Sequence, residues 1–157
     1  MLFRSDWDWK VKILTIAIIL IFFFLIWLSY LVFSRTLRMA LIIFLLGLII
    51  FSFLISPSGY LIDNKNLYII TRIRKFKIPL LYIKSAKKLD KDELYGSIRI
   101  LGIGGLFGYT GLFHSKHLGF FFSFATNYDN LIFIESNKKF LISPNNVESF
   151  LTSIKKD

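Results

Sequence analysis

The sequence predicts an α+β membrane protein: a two-helix transmembrane hairpin followed by a small antiparallel β domain that a C-terminal helix closes. Three observations carry this reading. Two long apolar runs without charge lie before residue 56. Beyond Ser56-Pro57-Ser58-Gly59 the pattern breaks into short apolar stretches separated by turn residues. The C-terminal end carries an apolar stripe at helical spacing.

The first run, Ile13 to Phe33, has no charged residue and at about 1.5 Å per residue spans the roughly 30 Å of a hydrocarbon core. Ser34, Arg35, Thr36, Leu37 and Arg38 follow, and Met39 to Ile55 is a second uncharged run that crosses back. The alternative for the first run is a cleaved signal peptide, but the run is longer than an apolar signal core and has no small-residue cleavage site before the second begins. Trp7, Trp9, Tyr30 and Tyr60 lie near the helix ends, where amphipathic rings are expected as interface anchors. Inside the runs the polar side chains are Thr15, Ser29 and Ser52, with no ionisable group to mark an ion or proton path. Gly47 has no small partner four residues away, so helix association is expected from general packing. Arg4, Lys10 and Lys12 precede the hairpin and Lys65, Arg72, Arg74, Lys75 and Lys77 follow it, against Arg35 and Arg38 in its loop. This balance puts both termini in the cytoplasm.

The hydrophobic fraction, 55%, exceeds the roughly 45–50% of soluble chains, and the membrane runs account for the surplus. Cysteine is absent, which excludes disulfides, thiolate nucleophiles and iron–sulfur clusters. The net charge of +10 is shared by both parts of the chain. Beside a bilayer such a surface attracts anionic headgroups, at about 1 kcal/mol per well-placed Lys or Arg, so the expected partner is the membrane and not nucleic acid.

A domain boundary is expected at the Ser56–Gly59 turn, dividing the chain into 1–56 and 57–157. Tyr60–Ile62, Leu67–Arg72 and Phe76–Ile78 read as antiparallel strands, and Phe120–Thr126, Leu131–Glu135 and Phe140–Ser143 as a β-meander joined by Asn127-Tyr128-Asp129-Asn130 and Ser136-Asn137-Lys138-Lys139. Ser143 can cap a closing helix with Pro144 at its first position. Val147, Phe150, Leu151 and Ile154 then share one face.

Between Gly59 and Ile83, Tyr60-Leu61-Ile62-Asp63, Leu67-Tyr68-Ile69 and Lys77-Ile78-Pro79-Leu80 resemble the opening strands of bacterial pleckstrin-homology-like domains that follow a transmembrane hairpin. Ser97-Ile98-Arg99, the stretch Gly102 to Tyr109, Gly111 with Phe113, Leu118-Gly119, Ala125-Thr126 and Ile142-Ser143-Pro144 are similar to that family's glycine-rich insert, strand and pre-helix signature. The resemblance implies a half-open seven-stranded antiparallel barrel capped by the C-terminal helix, in a bacterial inner-membrane protein. Eukaryotic relatives of the fold bind phosphoinositides or peptides, but no lipid-binding motif of theirs matches here residue by residue.

No catalytic constellation is found. A dinucleotide fingerprint starting at Gly102 would need glycine at Phe107, and no phosphate-binding Gly-Lys-Ser/Thr occurs. His114 and His117 lack a third metal ligand nearby in sequence. Asp90, Asp92 and Glu93 alternate with lysines as in a solvated loop, and no serine has the Gly-x-Ser-x-Gly setting. Neither catalysis, a metal nor a cofactor is expected. Gly102 to Gly119 reads as a long connection whose aromatics fold back on the barrel, or as a surface for lipid or a partner formed by Leu106, Phe107, Tyr109, Phe113, Phe120 and Phe121.

The basic turn Arg72, Arg74, Lys75 and Lys77, tethered near the bilayer through Pro57, is the candidate headgroup contact. The favoured function is a non-catalytic membrane-anchored adaptor or accessory subunit. It would dock another membrane protein, or assemble with its own copies, through the β domain. The alternative is a module binding anionic lipid at the membrane surface without a dedicated protein partner.

Overall fold

The computed structural model describes residues 1–155. Two long helices, α1 (Trp9–Val32) and α2 (Arg35–Ile55), are each long and apolar enough to cross a membrane. Both begin before the uncharged runs expected at 13–33 and 39–55, because caps and not charge set helix boundaries. The Asp8 carboxylate accepts the Val11 N–H at 2.7 Å and starts α1 among polar residues. Only Phe33 and Ser34 separate the two helices, and the Arg38 guanidinium lies 4.2 Å from the centre of the Tyr30 ring.

A strand precedes α1. β1 (Leu2–Arg4) joins β2 (Pro57–Ile62), β3 (Asn66–Thr71) and β4 (Lys75–Pro79) in an antiparallel sheet of that order. Phe3 pairs with Tyr60 across β1 and β2. The helical hairpin is therefore an excursion between two hydrogen-bonded neighbours, so both of its ends leave from one sheet edge. Ser56 alone separates α2 from β2.

The second sheet contains β5 (Ser85–Lys88), β6 (Ile98–Gly104), β7 (Tyr109–Ser115), β8 (Gly119–Ala125), β9 (Ile132–Glu135) and β10 (Lys139–Ile142), in the order β5-β9-β10-β8-β7-β6. Among the described residues there are thus ten strands in two sheets, more than the seven the resemblance implies. The expected meander is corrected as well. β10 lies between β8 and β9 and runs parallel to β8, with Phe140 opposite Phe122. The 127–130 connection is not a hairpin turn, because Asp8 holds it: the Asp8 N–H donates to the Thr126 carbonyl, and the carboxylate accepts the Tyr128 N–H. The expected long glycine-rich connection forms the β6–β7 hairpin.

The last helix, α3, spans Val147–Lys155. Ser143 and Pro144 do not open it. The Ser143 hydroxyl instead accepts the N–H groups of Thr126 and Asn127, and the Asn146 side chain caps the helix through the Ser149 N–H at 3.0 Å. The expected stripe of Val147, Phe150, Leu151 and Ile154 packs on the core shared by the two sheets, with Phe150 fully buried against Phe3 and Tyr60. Tyr60 is thus a core residue and not an interface anchor. Its hydroxyl donates to the Phe124 carbonyl at 2.6 Å and accepts the Ser143 N–H. A second apolar cluster on the other face of the six-stranded sheet gathers Leu89, Leu118, Phe121, Leu131, Phe133 and Leu141.

Candidate functional site

Two strand-hairpin tips grip the base of the helical hairpin. From one side, the β6–β7 turn brings Gly105 against Leu14 and Phe107 against α2. The Thr15 hydroxyl donates to the Gly105 carbonyl at 3.0 Å and accepts the Phe107 N–H at 3.1 Å. The Ser56 hydroxyl donates to the Phe107 carbonyl at 2.9 Å. Phe107 has a φ of 61°, a region uncommon for non-glycine residues. Its ring centre lies 5.6 Å from that of Trp7 and 5.3 Å from that of Phe53. A polar side chain nearly two turns inside an apolar helix is thereby satisfied by the backbone of another element, not by its own helix.

From the other side comes the β3–β4 turn, closed by the Thr71 N–H donating to the Arg74 carbonyl at 2.8 Å. Arg72 reaches back over the end of α2. Its guanidinium lies 3.9 Å from the centre of the Phe53 ring and donates to the carbonyls of Phe53 (3.2 Å) and Ser56 (3.4 Å). These carbonyls form the negative end of the α2 dipole, where a cation is favoured. Partial burial lowers the Arg72 pKa from its ordinary value, although a guanidinium remains charged at any physiological pH.

Asp8 makes a third attachment, to the β8–β9 connection. Nearby, the Tyr109 and Tyr128 rings meet edge to face at 4.3 Å. Burial raises the pKa of both, that of Tyr128 to about 12, with the Asp8 charge adding to each.

A family model for the bacterial PH domain matches residues 58–157. The chain belongs to that family. No curated protein and no solved structure matches the chain.

Within this PH domain the residues proposed for contact separate into different environments. Leu106 and Phe121 are buried, Phe107 is half-buried in the junction, and Tyr109 and Phe113 are half-buried on the six-stranded sheet. Of that group Phe120 alone is exposed, its ring centre 4.7 Å from that of His114 in a tilted arrangement. In the basic turn Arg74, Lys75 and Lys77 project into solvent, while Arg72 is engaged by α2. Tyr109, Phe113 and Phe121 come together on one face of the six-stranded sheet and line a common cleft, whereas Phe120 lies on the opposite face, because successive strand residues alternate, and Leu106 and Phe107 belong to the β6–β7 turn.

The open surface of the PH domain lies one strand further out, on β6, where Ile98, Ile100 and Leu101 are 65%, 54% and 74% exposed. The register places Ile98, Leu101 and Ile103 on the same face as Thr110, Leu112 and His114 of β7, with Ile100 at a bulge. The other sheet edges are guarded. β1 has three residues and ends in Arg4, β4 carries Lys75, Lys77 and Pro79, and β5 carries Lys87 and Lys88. The charge on β6, Arg99, folds along its own strand over Gly104. The run from Ile98 to Ile103, apolar but for Arg99 and Gly102, was the available sequence signal, but the glycine masked the strand.

Proposed function

We propose that the protein is a non-catalytic adaptor of a bacterial inner membrane. The apolar hairpin crosses the bilayer with both termini on the cytoplasmic side, and the PH domain docks an extended segment of a second membrane protein along β6. The observation that carries this reading is the contrast between three edges that are short or lined with lysines and one long edge that is apolar apart from Arg99, which folds along its own strand. An edge of that kind is a liability unless something pairs with it, and strand addition uses its backbone for affinity and its side chains for selection. The threefold attachment of the helices to the PH domain supports the same reading, since a fixed domain presents the edge at one height above the membrane and restricts which partners reach it.

The test places a photoreactive amino acid at Leu101 in the full chain, in its native membranes. Irradiation is expected to give one adduct of defined mass, lost when Ile98→Lys is added, while thermal unfolding in mild detergent stays unchanged because Ile98 is exposed. A chain that runs as a lone protomer and gives no adduct overturns the proposal, and an adduct with a second copy identifies the partner as the protein itself.

A further inference from the structure

The two sheets part between β4 and the β8–β10 pair, leaving a cleft of about 420 Å³, within the range of small-molecule sites. Its walls are aromatic: Phe76, Tyr82, Phe122 and Phe140 line it, with Phe76 4.8 Å from Phe124 and Phe122 6.0 Å from Phe140 between ring centres. Its rim is cationic. Lys77 and Lys138 border it, the Lys138 ammonium 5.5 Å from the centre of the Phe122 ring, and no Asp or Glu is among the lining residues. Neither lysine makes an ion pair among the described residues. An apolar slot under unpaired positive charge is complementary to a molecule with one hydrocarbon chain in the slot and a negative head at its rim.

The position of the cleft supplies the source of that molecule. Phe76 follows the β3–β4 turn, and Arg72 of that turn lies against Phe53 and Ser56 at the end of α2. One end of the cleft therefore opens where the helical hairpin ends, and the lysine-bordered β9–β10 turn lies toward the other. An extended peptide fits less well, because β4, the strand it would have to join, is blocked by Pro79 and flanked by lysines.

The geometry points to an acyl-chain site for an anionic membrane lipid, with the chain between Phe76, Phe122 and Phe140 and the headgroup against Lys77 and Lys138. The site rests on the reading that α1 and α2 are embedded in a bilayer. It is independent of the docking edge on β6.

The experiment reconstitutes the full chain in phosphatidylcholine vesicles doped with a phosphatidylglycerol bearing a diazirine on its acyl chain, and maps the adducts by mass spectrometry. Adducts on peptides containing Phe122 and Phe140 are expected, normalised to those on α1 and α2. They are expected to fall roughly tenfold in the Lys77→Gln, Lys138→Gln double variant, and to a similar extent with photoreactive phosphatidylcholine, given the gain per basic residue at an anionic surface. Both lysines are exposed, so an unchanged melting curve verifies the fold of the variant. Cleft adducts that are absent, indifferent to headgroup charge or unaffected by the two substitutions overturn the site while the helices still label. Unlabelled helices overturn the bilayer reading itself, and the site with it.

Discussion

The Thr15 hydroxyl, inside the first apolar helix, and the Gly105 carbonyl, at the tip of a strand hairpin, are joined by a 3.0 Å hydrogen bond across ninety positions of sequence. Because the same hydroxyl accepts the Phe107 N–H, one side chain satisfies two backbone groups of the turn. The helices are thereby fastened to the PH domain and are not a loose tether.

Thr15→Val preserves shape and removes both bonds. An unpaired buried backbone group costs about 1–3 kcal/mol, so the unfolding free energy of the full chain in detergent is expected to fall by that amount and its melting temperature with it. Ser29→Ala is the control. Among the described residues the Ser29 hydroxyl bonds only the Ile26 carbonyl of its own helix, a local contact of little consequence for stability, and its loss leaves the transition where it was. Equal shifts for the two variants would remove the junction as a determinant of stability.

The β6–β7 hairpin depends on two facing glycines. Gly102 is opposite Gly111, and a Cβ on Gly102 would stand 2.3 Å from the Thr110 carbonyl oxygen, one on Gly111 2.2 Å from that of Leu101. Both also have positive φ, 131° and 148°. Alanine at either position forces backbone apart, with an expected loss of about 1–3 kcal/mol and faster amide exchange along β6. Gly47→Ala meets no atom within 4 Å and is expected to be neutral or to stabilise its helix by up to about 1 kcal/mol. Differential scanning calorimetry of the three variants separates these outcomes.

Asp8 joins two functions at the other attachment. One carboxylate oxygen caps α1 through Val11 at 2.7 Å, and the other accepts the Tyr128 N–H at 3.0 Å. Asp8→Ala removes a cap worth about 1 kcal/mol and leaves the Tyr128 amide unpaired. Hydrogen exchange is expected to accelerate at Val11 and Tyr128 together. Asp8→Asn keeps an acceptor for one of them and is expected to lie between. Acceleration at Val11 alone would show that the β8–β9 connection does not depend on Asp8.

The helices and most strands were legible in the sequence because each is written locally, as an uncharged run or as short apolar stretches between turns. The stripe of α3 was equally plain, although its start was not: Ser143 and Pro144 have the composition of a cap, but burial against Thr126 takes the serine hydroxyl. Of what escaped, the β6–β7 hairpin is local, its strands masked by glycine, and the rest is non-local. β1 is three residues whose only reason to be a strand is the β2 edge more than fifty positions away. The β10–β8 pairing likewise follows from a connection that Asp8 holds from outside the domain. Which apolar residues are covered is decided in the same non-local way. Leu106, Phe107 and Phe121 are as apolar as Ile98 and Leu101, and only the strand order decides which set is covered and which lies on an edge.

Tyr128 makes the junction sensitive to alkali. Burial, with smaller contributions from Tyr109 and the Asp8 charge, raises its pKa to about 12 in the folded chain, against about 10 for an exposed phenol. Between these values the unfolded chain releases the phenolic proton while the folded chain retains it, so the folded state binds more protons and stability falls as pH rises. The contribution is fully present below pH 10 and is lost as pH climbs through the folded value. It amounts to about 2 kcal/mol for a phenol that is partly exposed. Unfolding free energies measured from neutral pH upward are expected to fall less steeply for Tyr128→Phe than for the native chain, with the two curves parallel below pH 9 or so and diverging above. Curves that stay parallel throughout would mean that Tyr128 ionises with equal ease in both states.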